Sequence, residues 1–147
     1  MINIEKKTKE TTEYPVISGV PRMASKITVN MIKEIHRAAI ISGSRDEMSL
    51  IDLVRDEGTL FYIADKANKI DDEIERASFM LFSIAYLHPF VEGNKRTAVL
   101  AAEIALGPDL FIDADAEELN AAVRRIGSHL GTIEHTKEWM KTHVRKK

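Results

Sequence analysis

Two strongly apolar stretches, separated by a short polar loop, limit the folds that are open to this chain. Residues 77–87 and 98–106 are apolar almost throughout, and Glu103 alone interrupts the second stretch. A helix that is apolar on every face is buried on every face, so the two stretches are expected to form a central helix pair. The loop between them, residues 88–96, is polar beside buried chain, which favours a functional role over a packing role.

The rest of the chain also predicts helices. Apolar residues recur at near-helical spacing, acidic residues stand where first turns would begin, and no alternating strand pattern is evident. The fold class is therefore all-α, a single compact helical bundle with the active-site loop between its two buried helices. Helices are expected over residues 26–41, 60–69, 71–87, 94–106, from 113 onward, and from about 134 to 144.

Helix-breaking residues near the N-terminus indicate the domain organisation. Prolines and a glycine within residues 14–21 break helical structure, so residues 1–25 are expected to form an irregular arm before a helical domain over residues 26–147. The basic run of residues 145–147 is expected to be a solvated tail beyond the last helix.

Charge and residue content exclude several classes of function. The formal net charge is −2, without the basic excess that phosphate neutralisation demands, so direct nucleic-acid binding is not expected. No apolar run is long enough to span a membrane, and the N-terminus lacks the apolar stretch of a secretory signal. The chain has no cysteine, which suits a reducing cytoplasm and excludes disulfides. A cytoplasmic location is expected.

The backbone of the polar loop favours an anion site. Pro89 disfavours helical geometry at His88 and so ends the incoming helix. Gly93 allows the chain to turn, and a new helix is expected to begin near Asn94. The unpaired N–H groups and positive dipole end of that helix would attract a negative charge.

The side chains of the loop complete a set suited to phosphate chemistry. Lys95 and Arg96 are unfavourable at the positive end of a helix, unless a bound anion offsets them. Glu92 is a carboxylate of the kind that shares Mg²⁺ with phosphate oxygens, although it could instead serve only the helix dipole. His88 has an ordinary pKa near 6.5, which suits a general base, although a lone histidine more often caps a helix or packs. Together they indicate phosphoryl or nucleotidyl transfer.

Residues 88–98 read His-Pro-Phe-Val-Glu-Gly-Asn-Lys-Arg-Thr-Ala. This run resembles the signature of the Fic/Doc family, roughly His-Pro-Phe-x-Asp/Glu-Gly-Asn-Gly/Lys-Arg, at every specified position. The resemblance covers most of the chain from about residue 26. It implies the family's helical fold, with this loop between two buried helices, and transfer from ATP with Mg²⁺ to a protein substrate.

The resemblance also implies a role for each position of the loop. His88 would be the catalytic base that activates a hydroxyl of the target protein, and Glu92 would bind Mg²⁺. Pro89 and Phe90 would be structural, with Phe90 turned inward as an anchor. The nucleotide phosphates would bind to Gly93, Asn94, Lys95 and Arg96.

Two positions point to the Doc branch of that family. AMP-transferring members usually carry glycine where this chain has Lys95, and a second arginine where it has Val99. In the Doc branch the nucleotide is thought to bind reversed, so that the γ-phosphate passes to a translation elongation factor. The alternatives are a Fic-type AMP transferase and an inactive binding module that keeps the loop.

Regulation and substrate alignment complete the expectations. The family's inhibitory pattern, Ser/Thr-x-x-x-Glu-Gly/Asn, does not occur in the chain, so a separate antitoxin protein is expected to cover the site. The flap with which the family aligns its target corresponds loosely to Arg55, Asp56 and Gly58, and Gly58 is expected to mark a turn. The remaining histidines are expected at the surface or in packing: His36, His129, His135 and His143.

Overall fold

A computed structural model describes residues 26–43 and 51–147. The expected arm, residues 1–25, lies outside the described residues, as does part of the segment before the expected flap. Six helices and two short strands occur within the described part. They are α1 Val29–Ile41, α2 Glu57–Ala67, α3 Glu73–Leu87, α4 Asn94–Leu106, β1 Leu110–Ile112, α5 Ala116–Gly127, α6 Ile133–His143 and β2 Val144–Lys146.

Short polar side chains fix the helix starts. Asp72 begins α3 by accepting a hydrogen bond from the backbone N–H of Glu75. Asp115 begins α5 in the same way and forms a reciprocal capping box with Glu118. These caps satisfy N–H groups that would otherwise lack partners, so the acidic residues in the sequence marked these helix starts correctly.

The central pair is α3 and α4, which confirms the expectation from the two apolar stretches. α3 packs against α4 and also touches α2, α5 and α6. Its inner residues, including Met80, Leu81 and Ile84, are fully buried, and α4 contributes small residues such as Ala101 and Ala102. Because both helices are held on several sides, the loop that joins them is anchored at both ends.

The expectation of a solvated C-terminal tail was wrong. Arg145 and Lys146 are not a free tail but belong to β2, which pairs antiparallel with β1 in the register Leu110↔Lys146, Phe111↔Arg145 and Ile112↔Val144. The pairing extends outward through a bond from the Asp113 N–H to the His143 carbonyl. Strands of three residues are too short to show an alternating pattern, so the sequence did not reveal them.

α2 begins earlier than expected. Asp56 accepts a hydrogen bond from the Thr59 N–H at 3.2 Å and so caps a helix that already includes Gly58. Gly58 is therefore a helical residue and not the turn that the sequence suggested, while Asn68 ends the helix as expected. In the described part of the chain, no helix is both long and apolar enough to cross a membrane.

Candidate functional site

His88 ends α3 in a strained backbone conformation, which the surrounding structure must hold in place. Its backbone N–H still bonds to the Ile84 carbonyl at 3.2 Å, but its φ of 51° and ψ of 62° are left-handed. A left-handed residue other than glycine costs of order 1 kcal/mol or more, and Pro89 prevents a return to the helix. The imidazole therefore leaves the end of α3 in a fixed direction, half-buried.

Arg55 holds this turn from one side. Its Nε donates to the His88 carbonyl and its Nη2 to the Leu87 carbonyl, both at 2.7 Å. The backbone N–H groups of Arg55 and Asp56 donate to the Pro89 carbonyl at 2.8 and 3.1 Å. A cation at the C-terminal end of a helix also faces the negative end of its dipole. The Arg55 side chain thus lies against the turn that contains His88.

His129 holds the same turn from the other side. Its Nε2 donates to the Tyr86 carbonyl at 3.0 Å, and its ring lies 4.2 Å from the Tyr86 ring and 5.9 Å from the His88 ring, centroid to centroid. Burial lowers the pKa of His88 below its ordinary value, and the charges of His129, Lys95 and Arg55 lower it further. His129, expected at the surface or in packing, therefore belongs to the site.

Phe90 anchors the middle of the loop. It is 1% exposed, and its ring stacks on His36 at 3.8 Å with 5° between the planes. His36 is fully buried and donates from Nε2 to the Glu92 carbonyl at 2.9 Å, while its Nδ1 has no partner among residues 26–43 and 51–147. Burial lowers the pKa of His36, which keeps this ring neutral. The ring pair fixes the backbone of Glu92 and leaves its carboxylate exposed.

Asn94 closes the loop onto itself. Its side-chain Oδ1 accepts from the Phe90 N–H at 3.0 Å, and its Nδ2 donates to the Phe90 carbonyl at 2.9 Å. Both bonds are buried, so they satisfy backbone groups that would be costly to leave unpaired. The amide of Asn94 is thus engaged within the loop, and its contribution to an anion site would come from its backbone N–H.

Gly93 is the N-cap residue of α4 and adopts a left-handed backbone conformation. Its φ is 81°, and its carbonyl accepts from both the N–H and the hydroxyl of Thr97, at 2.9 and 2.7 Å. A Cβ atom at this position would lie 2.7 Å from the Cδ1 of Ile40, a buried residue of α1. Both the backbone angle and the neighbouring side chain therefore require glycine.

We expect Gly93→Ala to lower the free energy of unfolding by about 1–3 kcal/mol, because an alanine must adopt the left-handed angle and displace Ile40. Chemical denaturation followed by helical circular dichroism measures this loss. Gly131→Ala is the matched control, since an added Cβ there meets no atom closer than 3.9 Å. Equal stability of the two variants would contradict the expectation.

The first turn of α4 presents donors and cations to the same place. Helix geometry leaves the backbone N–H groups of Asn94 and Lys95 pointing out of the start of the helix, and the first turn contains no acidic residue. Lys95 is exposed, and its Cε would lie 3.2 Å from a Cβ added to Gly127 of α5, so its stem packs over that glycine. Arg96 is half-buried. This concentration of positive charge suits an anion.

A cleft of about 930 Å³ gathers these groups. It brings together Arg55, His88 and Phe90 with the whole run Glu92, Gly93, Asn94, Lys95 and Arg96. Residues of α5 and the following turn that carried no signal in the sequence also line it: Asn120, Arg124 and His129.

The three flap candidates line two different cavities. Arg55 lines the cleft, whereas Asp56 and Gly58 line a neighbouring cavity of about 730 Å³ with aromatic walls that include Tyr62 and Phe79. The segment before α2 nevertheless touches the loop, because Val54 forms an antiparallel bridge with Phe90. The flap-like segment is thus paired with the backbone of the motif.

Glu92 is the one carboxylate among the described residues that line the cleft. No group of three or more histidine, aspartate or glutamate side chains that could hold a metal occurs in residues 26–43 and 51–147. A single carboxylate is enough for Mg²⁺ when phosphate oxygens and water complete its six ligands. The donor set therefore fits a Mg²⁺ ion brought with a nucleotide and would be too small for a resident metal cage.

Comparison with known proteins identifies one family. The Fic/DOC family model matches residues 26–106, which is 81 of the 147 residues and includes the whole loop. No curated protein and no solved structure matches the chain.

Proposed function

The chain belongs to the Fic/DOC family, and from this membership we propose that it is a Mg-ATP-dependent protein kinase of the Doc type. Membership supports a Fic-type protein-modifying enzyme in general. The observation that carries the proposal further is the cleft, which places His88 beside the cationic first turn of α4 and a single carboxylate. A base, an anion site and one metal ligand are the parts that phosphoryl transfer uses.

In the proposed reaction His88 acts as the general base. Its neutral imidazole takes the proton of a hydroxyl on the target protein, and the oxygen attacks the γ-phosphorus of ATP. The bond between that phosphorus and the oxygen that bridges it to the β-phosphate breaks, and ADP leaves. The lowered pKa of His88 favours this role, because it keeps the base unprotonated near neutral pH.

The remaining residues of the loop bind and orient. Lys95, Arg96 and the backbone N–H groups at the start of α4 would offset the charge of the triphosphate. Glu92 would hold Mg²⁺, which when bound would neutralise phosphate oxygens. Phe90 and Asn94 hold the loop so that base and cradle keep a fixed separation. Such positioning supplies much of the rate in phosphoryl transfer.

Transfer of AMP is the second candidate, and it uses the same base and cradle. Lys95 and Val99 favour phosphate transfer, because the AMP-transferring members that the loop resembles usually carry glycine and arginine there. A lysine side chain in the glycine position offers a physical reason for a shifted phosphate position. The third candidate is a binding module that retains the loop without activity.

ATP labelled at both the α- and γ-phosphates separates these functions. We expect the purified chain with Mg²⁺ to transfer the γ-label to one protein of a cytosolic extract and to leave the α-label in solution. An α-label on the target would support AMP transfer instead. Absence of nucleotide binding in calorimetry, with Mg²⁺ present, would support the binding module.

The biological setting follows from the same proposal. The target is a cytosolic protein, for which a translation elongation factor is the first choice by resemblance to the Doc branch. The absence of the family's inhibitory pattern from the sequence leaves restraint to a separate antitoxin protein. Mass spectrometry of the extract after incubation would identify the target by a gain of one phosphate.

A further inference from the structure

The cavity of about 730 Å³ between α2 and α3, here called the aromatic cavity, adjoins the catalytic cleft. Four rings line it: Tyr62 from α2, and Phe79, Phe82 and Tyr86 from α3. Tyr86 and Leu87 line both the aromatic cavity and the cleft, so the two spaces meet at the end of α3, next to His88. A side chain bound in the aromatic cavity would therefore lie close to a hydroxyl presented to His88.

We propose that the aromatic cavity binds an arginine side chain of the target protein, close in space to the hydroxyl that receives the phosphate. This inference rests on the proposed function and deepens it, because it assigns a recognition site for the protein substrate. It concerns a side chain that the target contributes and is separate from the place where the nucleotide binds.

The rings give the aromatic cavity walls that attract a cation. Phe82 and Tyr86 are stacked with their ring centroids 4.9 Å apart, and Tyr62 and Phe79 are tilted with their centroids 6.3 Å apart. Tyr62 is 49% exposed, and the other three rings are half-buried. The face of an aromatic ring is electron-rich and attracts a cation. An arginine suits such walls better than a lysine, because its planar, weakly hydrated guanidinium stacks on rings.

Asp56 supplies a negative charge for the same site. It is the one charged residue that lines the aromatic cavity in the described part of the chain. Its Oδ1 accepts the capping bond from the Thr59 N–H at 3.2 Å, whereas its Oδ2 accepts no bond from residues 26–43 and 51–147. The backbone N–H of Asp56 donates to the Pro89 carbonyl at 3.1 Å, which holds this carboxylate near the catalytic turn. One carboxylate oxygen is thus left for a cation.

Ser83 adds a second acceptor inside the aromatic cavity. A serine in a helix often donates to the carbonyl four residues earlier, as Ser78 does to Ile74 at 2.7 Å. Ser83 is only 2% exposed and lines the cavity, yet its hydroxyl forms no hydrogen bond within the described ranges. A guanidinium has five N–H donors and could satisfy both Ser83 and Asp56. An apolar side chain in the same place would leave both of them unpaired.

Solution NMR on the full chain, with labelled phenylalanine and tyrosine rings, tests the site without any need for activity. The probe is N-acetyl-arginine N-methylamide, and its citrulline analogue has nearly the same shape without the charge. Per unit concentration, the arginine probe should shift the ring signals of Phe79 and Phe82 at least about fivefold more than the citrulline probe. The ring of Phe111, which lies on β1 outside the cavity, should respond to neither.

Two variants test the two parts of the site. Asp56→Asn should lower the arginine response about twofold to fivefold, because asparagine keeps the α2 cap but removes the charge. Asp72→Asn is its matched control, since Asp72 caps α3 in the same way outside the cavity. Tyr62→Leu should also lower the response, about twofold to fivefold, by removing one ring. Phe61→Leu is the control for that change, because Phe61 is exposed on the same helix and does not line the cavity. Thermal melting verifies that each variant is folded.

The outcomes separate this inference from the proposed function. Equal shifts with both probes, shifts with neither, or an unchanged arginine response in either cavity variant would overturn the arginine site. Transfer of the γ-label by the unmodified chain would still support the kinase in each of these cases. A selective arginine response, combined with no transfer of either label by the unmodified chain, would overturn the kinase and leave the arginine site in place.

Kinetics on the target identified by mass spectrometry then connect the site to the protein substrate. Asp56→Asn should raise KM for the target about twofold to fivefold, because the lost charge weakens target binding, and should leave KM for ATP unchanged. Asp72→Asn should change neither value. An unchanged KM for the target in Asp56→Asn would overturn the assignment of the aromatic cavity to a target side chain.

Discussion

Replacing His88 with alanine should lower the rate of phosphate transfer by about 10²–10⁴-fold, the usual contribution of a general base. The fold should survive, because the turn is also held by Pro89 and by the bonds from Arg55 to the Leu87 and His88 carbonyls. Transfer of γ-label to the target, at saturating ATP, measures the effect. His135→Ala is the matched control, since His135 is exposed on α6 and lies outside the cleft.

The same histidine predicts the pH dependence of the reaction. A base works only when neutral, so kcat/KM should fall as the pH drops through the pKa of His88. Because burial and neighbouring cations lower that pKa, activity should persist below the ordinary histidine value of about 6.5 before it is lost. An acid limb centred above that value, or a His88→Ala variant that retains full activity, would contradict a base role for His88.

The sequence predicted the part of the site that is contiguous. Residues 88–96 carry their chemistry within one loop, and the apolar stretches on both sides placed that loop between buried helices. The structure agrees, since α3 and α4 pack against each other and the loop residues meet in one cleft. Local sequence was sufficient here because neighbouring residues in one short loop must lie close together.

The sequence could not predict the partners that come from elsewhere in the chain. His129 and Arg124 stand about thirty residues or more beyond the loop and, taken singly, look like an ordinary surface histidine and a helix-end arginine. Only the packing of α5 on α3 and α4 brings them to the cleft.

Asn94 and Arg55 show a second limit, which concerns the role of a side chain and not its position. The resemblance placed Asn94 among the phosphate-binding residues without saying which of its groups would bind, and the structure shows that its amide is bonded to both backbone groups of Phe90. Arg55 was named only as a candidate for the flap that aligns the target, and the structure adds that its guanidinium is bonded to the end of α3. Hydrogen-bond partners depend on backbone direction, which residue identity alone does not determine.

Replacing Arg55 with alanine should lower kcat by about tenfold to a hundredfold, because the carbonyls of Leu87 and His88 lose their shared donor and the base loses its fixed position. Loss of the nearby positive charge should also raise the pKa of His88, so the acid limb of the pH profile should move to higher pH. Arg55→Lys, with one point charge in place of a planar fork, should give an intermediate kcat. Labelled-ATP assays across a pH series measure both effects.

Arg76, near the other end of α3, provides a matched control for Arg55. Its guanidinium also donates to two backbone carbonyls, those of Ile70 and Asp71, both at 2.9 Å. It lies near the start of α3, about 18 Å from His88 by helix geometry. Arg76→Ala and Arg55→Ala should therefore lose similar stability, about 1–2 kcal/mol each, while only Arg55→Ala changes kcat and the acid limb. If Arg55 instead bound a phosphate directly, the Arg55→Ala variant would show a higher KM for ATP at constant kcat. That outcome would contradict the role of Arg55 in positioning His88.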